Sequence, residues 1–131
     1  MKELFLSLLL SFALVPVGHT DDVVIDVEID YLLDTVVSSN CVFIRNGKEH
    51  RPEAAKDHLN MKRRRGKKYF SSTEEFIENL ASSSSWTGKP YHIRCGDEEA
   101  QLAKTWFSAV LAQYRAQSAP DVDIDKLAGA D

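Results

Sequence analysis

Of 131 residues only two are cysteine, four proline, six glycine and two methionine, and each scarcity excludes something. Too little glycine and proline is present for a collagen-like or low-complexity chain, and 44% hydrophobic residues with 27% charged is the balance of a soluble folded domain. Two cysteines without Cys-x2-Cys spacing, and four histidines without His-x3-His spacing, leave no recognisable zinc motif among Cys41, Cys95, His50, His58 and His92. No Gly-x-Ser-x-Gly elbow exists. The Gly88-Lys89 pair fails as a phosphate loop, because Pro90 stands where Ser or Thr is required and Ser83 where the first glycine should be. A serine hydrolase can be drawn only by joining Ser82 to Ser85 with His58 or His92 and Asp57, and a serine-rich helix end is the simpler reading. No internal repeat is present. No cofactor or metal is expected, and an enzyme is the lesser reading.

The longest apolar run, Leu4 to Val17, is too short to span a bilayer comfortably and is followed at once by Gly18-His19-Thr20 and Asp21-Asp22. That pattern predicts a cleaved secretory signal over residues 1–20, with cleavage after Ala13 or nearer Thr20. A single α+β domain over 21–119 and an acidic, flexible tail over 120–131 follow. In an exported chain two cysteines are expected to pair. A Cys41–Cys95 disulfide would close a long loop and stabilise the fold by about 4 kcal/mol in the chain-entropy view.

Periodicity supplies the elements. Ile25, Ile29, Leu32, Leu33, Val36 and Val37 recur at helical spacing with acids on the other face, predicting a first helix through Ser38. Val42 to Arg45, Asn46-Gly47 and Lys48 to His50 read as a hairpin, since Asn-Gly suits both turn positions. Pro52 opens a second helix carrying Ala55, Leu59 and Met61, which ends near Gly66. Ser72-Thr73-Glu74-Glu75 has capping-box spacing for a third helix, which dies in Ser82 to Ser85. Tyr91 to Cys95 alternates as a strand, and Gly96-Asp97 opens a last helix through Leu102, Trp106, Phe107, Val110, Leu111 and Tyr114. The order α-β-β-α-α-β-α predicts a small three-stranded antiparallel sheet with helices on one face. The disulfide would make the first and last strands neighbours.

The net charge of −4 hides two opposed blocks: acids from Asp21 to Asp34, and the cations Lys62, Arg63, Arg64, Arg65, Lys67 and Lys68. The basic run can meet the acidic helix within the molecule or across a second copy, or it can face an anionic surface outside. Nucleic acid is not an expected partner for an exported chain, and only Tyr69 and Phe70 could stack on bases. Trp106 and Phe107 are expected in the core; Trp86, between Ser85 and Thr87, is expected at a surface.

Phe43 to His50, His58-Leu59, Ser72 to Ile77 and above all Ala81 to Tyr91 resemble the YfeK-like family of small exported bacterial proteins, a domain of unknown function. The resemblance covers about residues 25 to 115 and implies a periplasmic protein. It implies no reaction and no assigned ligand residue. The basic run and the acidic tail look like embellishments of that pattern. The motif residues carry one further expectation: Arg45, His50, Ser84, Trp86 and Tyr91 converge near one end of the sheet as a binding surface, to which the basic run adds its six cations. The expected function is a non-enzymatic binding module, of inhibitor or immunity type, acting on a protein partner. The alternative is a binder of anionic envelope lipids or lipopolysaccharide through residues 62–68.

Overall fold

The computed structural model describes residues 19–119. Most of the expected signal segment, residues 1–18, and the acidic tail from 120 lie outside the described residues. The first helix, α1 (His19–Ser38), begins before its first buried apolar residue, with Asp21 and Asp22 in its opening turn where acids suit the helix dipole. The hairpin β1 (Val42–Arg45) and β2 (Lys48–His50) turns on Asn46 and Gly47, with φ of 51° and 74°. Both lie in the left-handed region that an Asn-Gly turn supplies at low cost. Helix α2 (Pro52–Arg65) starts on its proline and is closed by Gly66, whose N–H donates to the Lys62 carbonyl. A side chain on Gly66 would come within 2.9 Å of Leu80, so this glycine is set by close packing.

After a short 3-10 turn at Lys67–Tyr69, Ser72 caps α3 (Thr73–Phe76) by accepting from the Glu75 N–H. The helix then continues as one wide π-turn, Ile77–Ala81, and the Ser82 hydroxyl donates to the Ile77 carbonyl at 2.5 Å. Strands β3 (His92–Arg94) and β4 (Gln101–Leu102) precede α4 (Ala103–Ser118).

The sheet is therefore four-stranded and antiparallel, in the order β2-β1-β3-β4, one strand more than expected. The last helix begins at Ala103 instead of Gly96-Asp97. Gly96, at φ 61°, reverses the chain just beyond Cys95, and the segment returns far enough for Gln101 to pair with Ile93 and Leu102 with His92. Leu102 thus leaves the helical stripe for an exposed strand position. The disulfide Cys41–Cys95 is present, and β1 and β3 are neighbours, with Phe43 opposite Ile93.

Phe43 and Ile93 share the sheet face that is buried with the helices. Ile29, Leu32, Leu33 and Val36 of α1, Leu59 of α2, Phe76 of α3 and Phe107 of α4 complete that core. Fully burying such side chains stabilises by about 1.5 to 3 kcal/mol each before chain entropy is counted. Trp106 is only partly buried against it, and Met61 is half-exposed. Helices α1 and α2 run antiparallel, since Asp34 pairs with Lys56 at 2.6 Å while Asp30 and Asp26 pair with Arg63 at 2.6 and 2.8 Å. Among the described residues, no helix is long and apolar enough to cross a membrane.

Candidate functional site

Helix geometry divides the basic run. Residues three, four or seven apart share a face, so Lys56 and Arg63 form one stripe of α2 and His58, Lys62 and Arg65 another. The first stripe meets the acids of α1, which is the intramolecular pairing open to the basic run. The second lines a cavity of about 430 Å³. Arg64, Lys67 and Lys68 are exposed.

Three segments enclose that cavity. From α2 and its end come His58, Met61, Lys62, Arg65, Gly66 and Tyr69; from the hairpin turn, Arg45 and Asn46; from the loop before β3, Ser84, Ser85, Trp86 and Tyr91. The loop is closed by its own ladder: Ser84 N–H to the Lys89 carbonyl at 3.0 Å, Gly88 N–H to the Ser84 carbonyl at 2.9 Å, and Tyr91 N–H to the Ser82 carbonyl at 2.8 Å. Its tip is pinned to the hairpin where the Thr87 hydroxyl donates to Asn46 Oδ1 at 2.8 Å. Trp86, at this tip, is 97% exposed. Its indole is held out in water on a hydrogen-bonded turn and buries almost none of its surface within the described fold.

Of the expected convergent set, Arg45, Ser84, Trp86 and Tyr91 line the cavity, joined by Lys62 and Arg65. His50 does not. It stands on β2 opposite Phe43, half-buried, and burial together with Arg45 and Lys48 lowers its pKa. His58, Asn46 and Tyr69 line it too and lie outside the expected set, although the four-residue step from His58 to Lys62 places both on one helical stripe.

At the back of the cavity lies a directed network. Arg45 Nη1 is 2.6 Å from His58 Nδ1; a guanidinium can only donate, so Nδ1 accepts and the imidazole proton is assigned to Nε2. That nitrogen faces Tyr91 Oη at 3.3 Å, and Lys62 Nζ donates to the same oxygen at 3.1 Å and to the Ser83 carbonyl at 2.9 Å. Tyr91 Oη thus accepts twice, and its own O–H is the uncommitted donor of the network. The ring nitrogens of His58 are engaged in this way, and among the described residues no serine hydroxyl is hydrogen-bonded to it.

The electrostatics are one-sided. No Asp or Glu lines the cavity, and Arg45, Lys62 and Arg65 make no ion pair among the described residues. Burial, then Arg45, pushes the Lys62 pKa down to about 8. Burial, then Arg45, Lys62 and His50, pushes His58 down to about 4, so its ring is neutral at neutral pH. Burial raises the Tyr91 hydroxyl, with Arg45 acting against it. A nearly buried ammonium beside a guanidinium is costly unless a negative group completes it.

Comparison with known proteins adds a family but no reaction. The family of unknown function DUF5329 matches residues 24–115. The uncharacterized protein YfeK of Salmonella typhimurium is 47% identical over 49 residues, which cover 37% of this chain and 41% of that relative. The match thus spans about two fifths of the relative's length. No solved structure matches.

Proposed function

The chain belongs to the DUF5329 family of unknown function, and we propose that it is a periplasmic, non-enzymatic binding domain whose cavity receives an acidic group of a protein partner. The observation that carries this reading is the contrast along one helix. Lys56 and Arg63 of α2 are paired with acids, whereas Lys62 and Arg65, with Arg45 beside them, line a cavity without a carboxylate. Charge placed in a partly desolvated cavity and left uncompensated calls for an anion from outside. Trp86 and Tyr69 at the rim give the partner's neighbouring apolar atoms a flat surface, and Trp, Tyr and Arg are the residue types that dominate interface energetics. An inhibitor or immunity-type role fits a small stapled domain that presents one such site.

Crosslinked capture from the native envelope tests the reading. Wild type and an Arg94→Ala control, whose substitution lies on the outer sheet face, should capture the same protein, and an Arg45→Ala, Trp86→Ala double variant should lose it. Equal capture by the double variant overturns the cavity as the site.

A second reading rests on the exposed cations Arg64, Arg65, Lys67 and Lys68, which make no ion pair among the described residues. They suit anionic lipid or lipopolysaccharide head groups. Binding to anionic vesicles should then fall steeply with salt and vanish when Arg64 and Arg65 become Ala.

A further inference from the structure

Lys62 combines three properties seldom found in one lysine. Its residue is 7% exposed, its Nζ lies 3.1 Å from a phenolic oxygen, and it lines an open cavity that contains a guanidinium and no carboxylate. With its pKa at about 8 rather than 10.5, it holds about three-hundredfold more free amine at neutral pH than an ordinary lysine. Desolvation and a neighbouring cation are the two means by which a lysine becomes a nucleophile toward carbonyl carbon.

We propose that Lys62 captures small oxo acids, molecules bearing an aldehyde or ketone next to a carboxylate, as a reversible imine. Arg45 receives the carboxylate and Lys62 Nζ attacks the carbonyl carbon. As the C–N bond forms, the carbonyl π pair moves onto oxygen, which takes the proton of Tyr91 Oη–H; the phenolate then takes a proton from the new ammonium. The carbinolamine next expels its hydroxyl as water while the nitrogen lone pair closes the C=N bond. Both N–H protons of Lys62 leave on that water, Tyr91 is returned unchanged, and no oxidant or reductant enters. The Tyr91 O–H is suited to this shuttle because Lys62 and His58 already occupy its oxygen as acceptor. The inference rests on the anion-receiving character proposed for the cavity, and concerns capture rather than turnover.

Reductive trapping tests it. Full-length protein is incubated with glyoxylate, or in parallel with uncharged acetaldehyde, in the presence of cyanoborohydride, and the alkylated lysines are mapped by peptide mass spectrometry. With glyoxylate, Lys62 should be alkylated about tenfold faster than exposed Lys48 and Lys89 of the same molecule. Acetaldehyde should show no such preference, Arg45→Ala should abolish it, and Tyr91→Phe should slow it. The internal comparison needs no variant, so misfolding cannot mimic the result. Lys62 reacting no faster than Lys48 and Lys89 overturns the imine. If glyoxylate nevertheless quenches Trp86 saturably in a Trp106→Phe background, the anion-receiving cavity survives and the imine alone falls; if it does neither, both fall. Equal labelling of Lys62 by acetaldehyde overturns the assignment to oxo acids.

Discussion

Lys62 Nζ and Tyr91 Oη stand 3.1 Å apart across 29 residues of sequence, the one from a helix ending in charge, the other from the entry to a central strand. The Tyr91 carbonyl in turn accepts from the Ala103 N–H at 2.9 Å, so the phenol is held on its backbone by the turn into α4. The cavity floor is thereby tied to the core on one side and left electrically incomplete on the other.

An unpaired buried ammonium should weigh against stability. Replacing it, Lys62→Met, is expected to raise the unfolding free energy by about 1 kcal/mol near neutral pH while abolishing anion binding. The native pKa of about 8 lies below the ordinary 10.5, so between these values the unfolded chain binds the proton that the native chain has released. The penalty is full below about pH 8 and fades toward 10.5, and the advantage of Met should shrink over that window. Urea unfolding at several pH values reads both effects; a stability loss on substitution would show that the bonds to Ser83 and Tyr91 outweigh charge burial.

Acid should act through His58. Its native pKa of about 4 lies below the ordinary 6.5, so the unfolded chain takes up the proton first and stability falls as pH drops from 6.5 to 4. The loss is about 3 kcal/mol at most, and His58→Gln should remove it from that window. Calorimetric scans across the range distinguish the pair. A bound anion should lift the His58 pKa, so ligand binding below pH 6.5 should be accompanied by proton uptake.

A second cluster is structural. Glu28 of α1 is 5% exposed, accepts from Thr73 of α3 at 2.7 Å and is held by Arg115 of α4 at 2.7 Å, and Arg115 also pairs with Glu74. Those contacts, Arg115 foremost, lower the Glu28 pKa against its burial. Arg115→Ala strands the carboxylate and should cost about 2 kcal/mol, with Glu28→Gln restoring part of it in the double variant. Simple additivity of the two substitutions in a double-mutant cycle would contradict the coupling.

Reduction of Cys41–Cys95 releases a loop with a sequence separation of 54 and should cost about 4 kcal/mol. The bond ties the start of β1 to the end of β3, whereas Arg45 and Tyr91 stand at the other end of that strand pair. Under conditions where the reduced chain remains folded, ligand affinity should stay within about twofold of the oxidised value. A larger change, measured by Trp86 fluorescence with and without reductant, would mean the cavity feels the disulfide directly.

Much of the fold is legible where local chemistry decides it. Asn46-Gly47, Pro52 and the Ser72 cap each allow few backbone conformations, and the structure uses all three. Strand β4 is not legible, because two residues are too few to alternate and Leu102 fits the helical stripe it was expected to join. Its pairing follows from the reversal at Gly96, next to a cysteine held in the disulfide. The polar turn residues Arg45, Ser84 and Trp86 stand out in the linear sequence. The basic run misleads there, because seven adjacent letters look like one surface. At about 100° per residue a helix sends Arg63 to the acids of α1, Lys62 to the cavity and Arg64 to solvent.

The wide turn at Ile77–Ala81 is equivalent to a regular helix with one residue inserted. Deleting a single residue there would leave a helix of ordinary pitch with everything downstream close to its present phase, because four residues at about 100° turn nearly as far as five in the wider turn. Ser82, Ser84 and Trp86 would keep their places at the rim, as would the core residues before the deletion. In related chains, a one-residue gap within this segment should therefore mark domains that retain both the architecture and the mouth of the cavity.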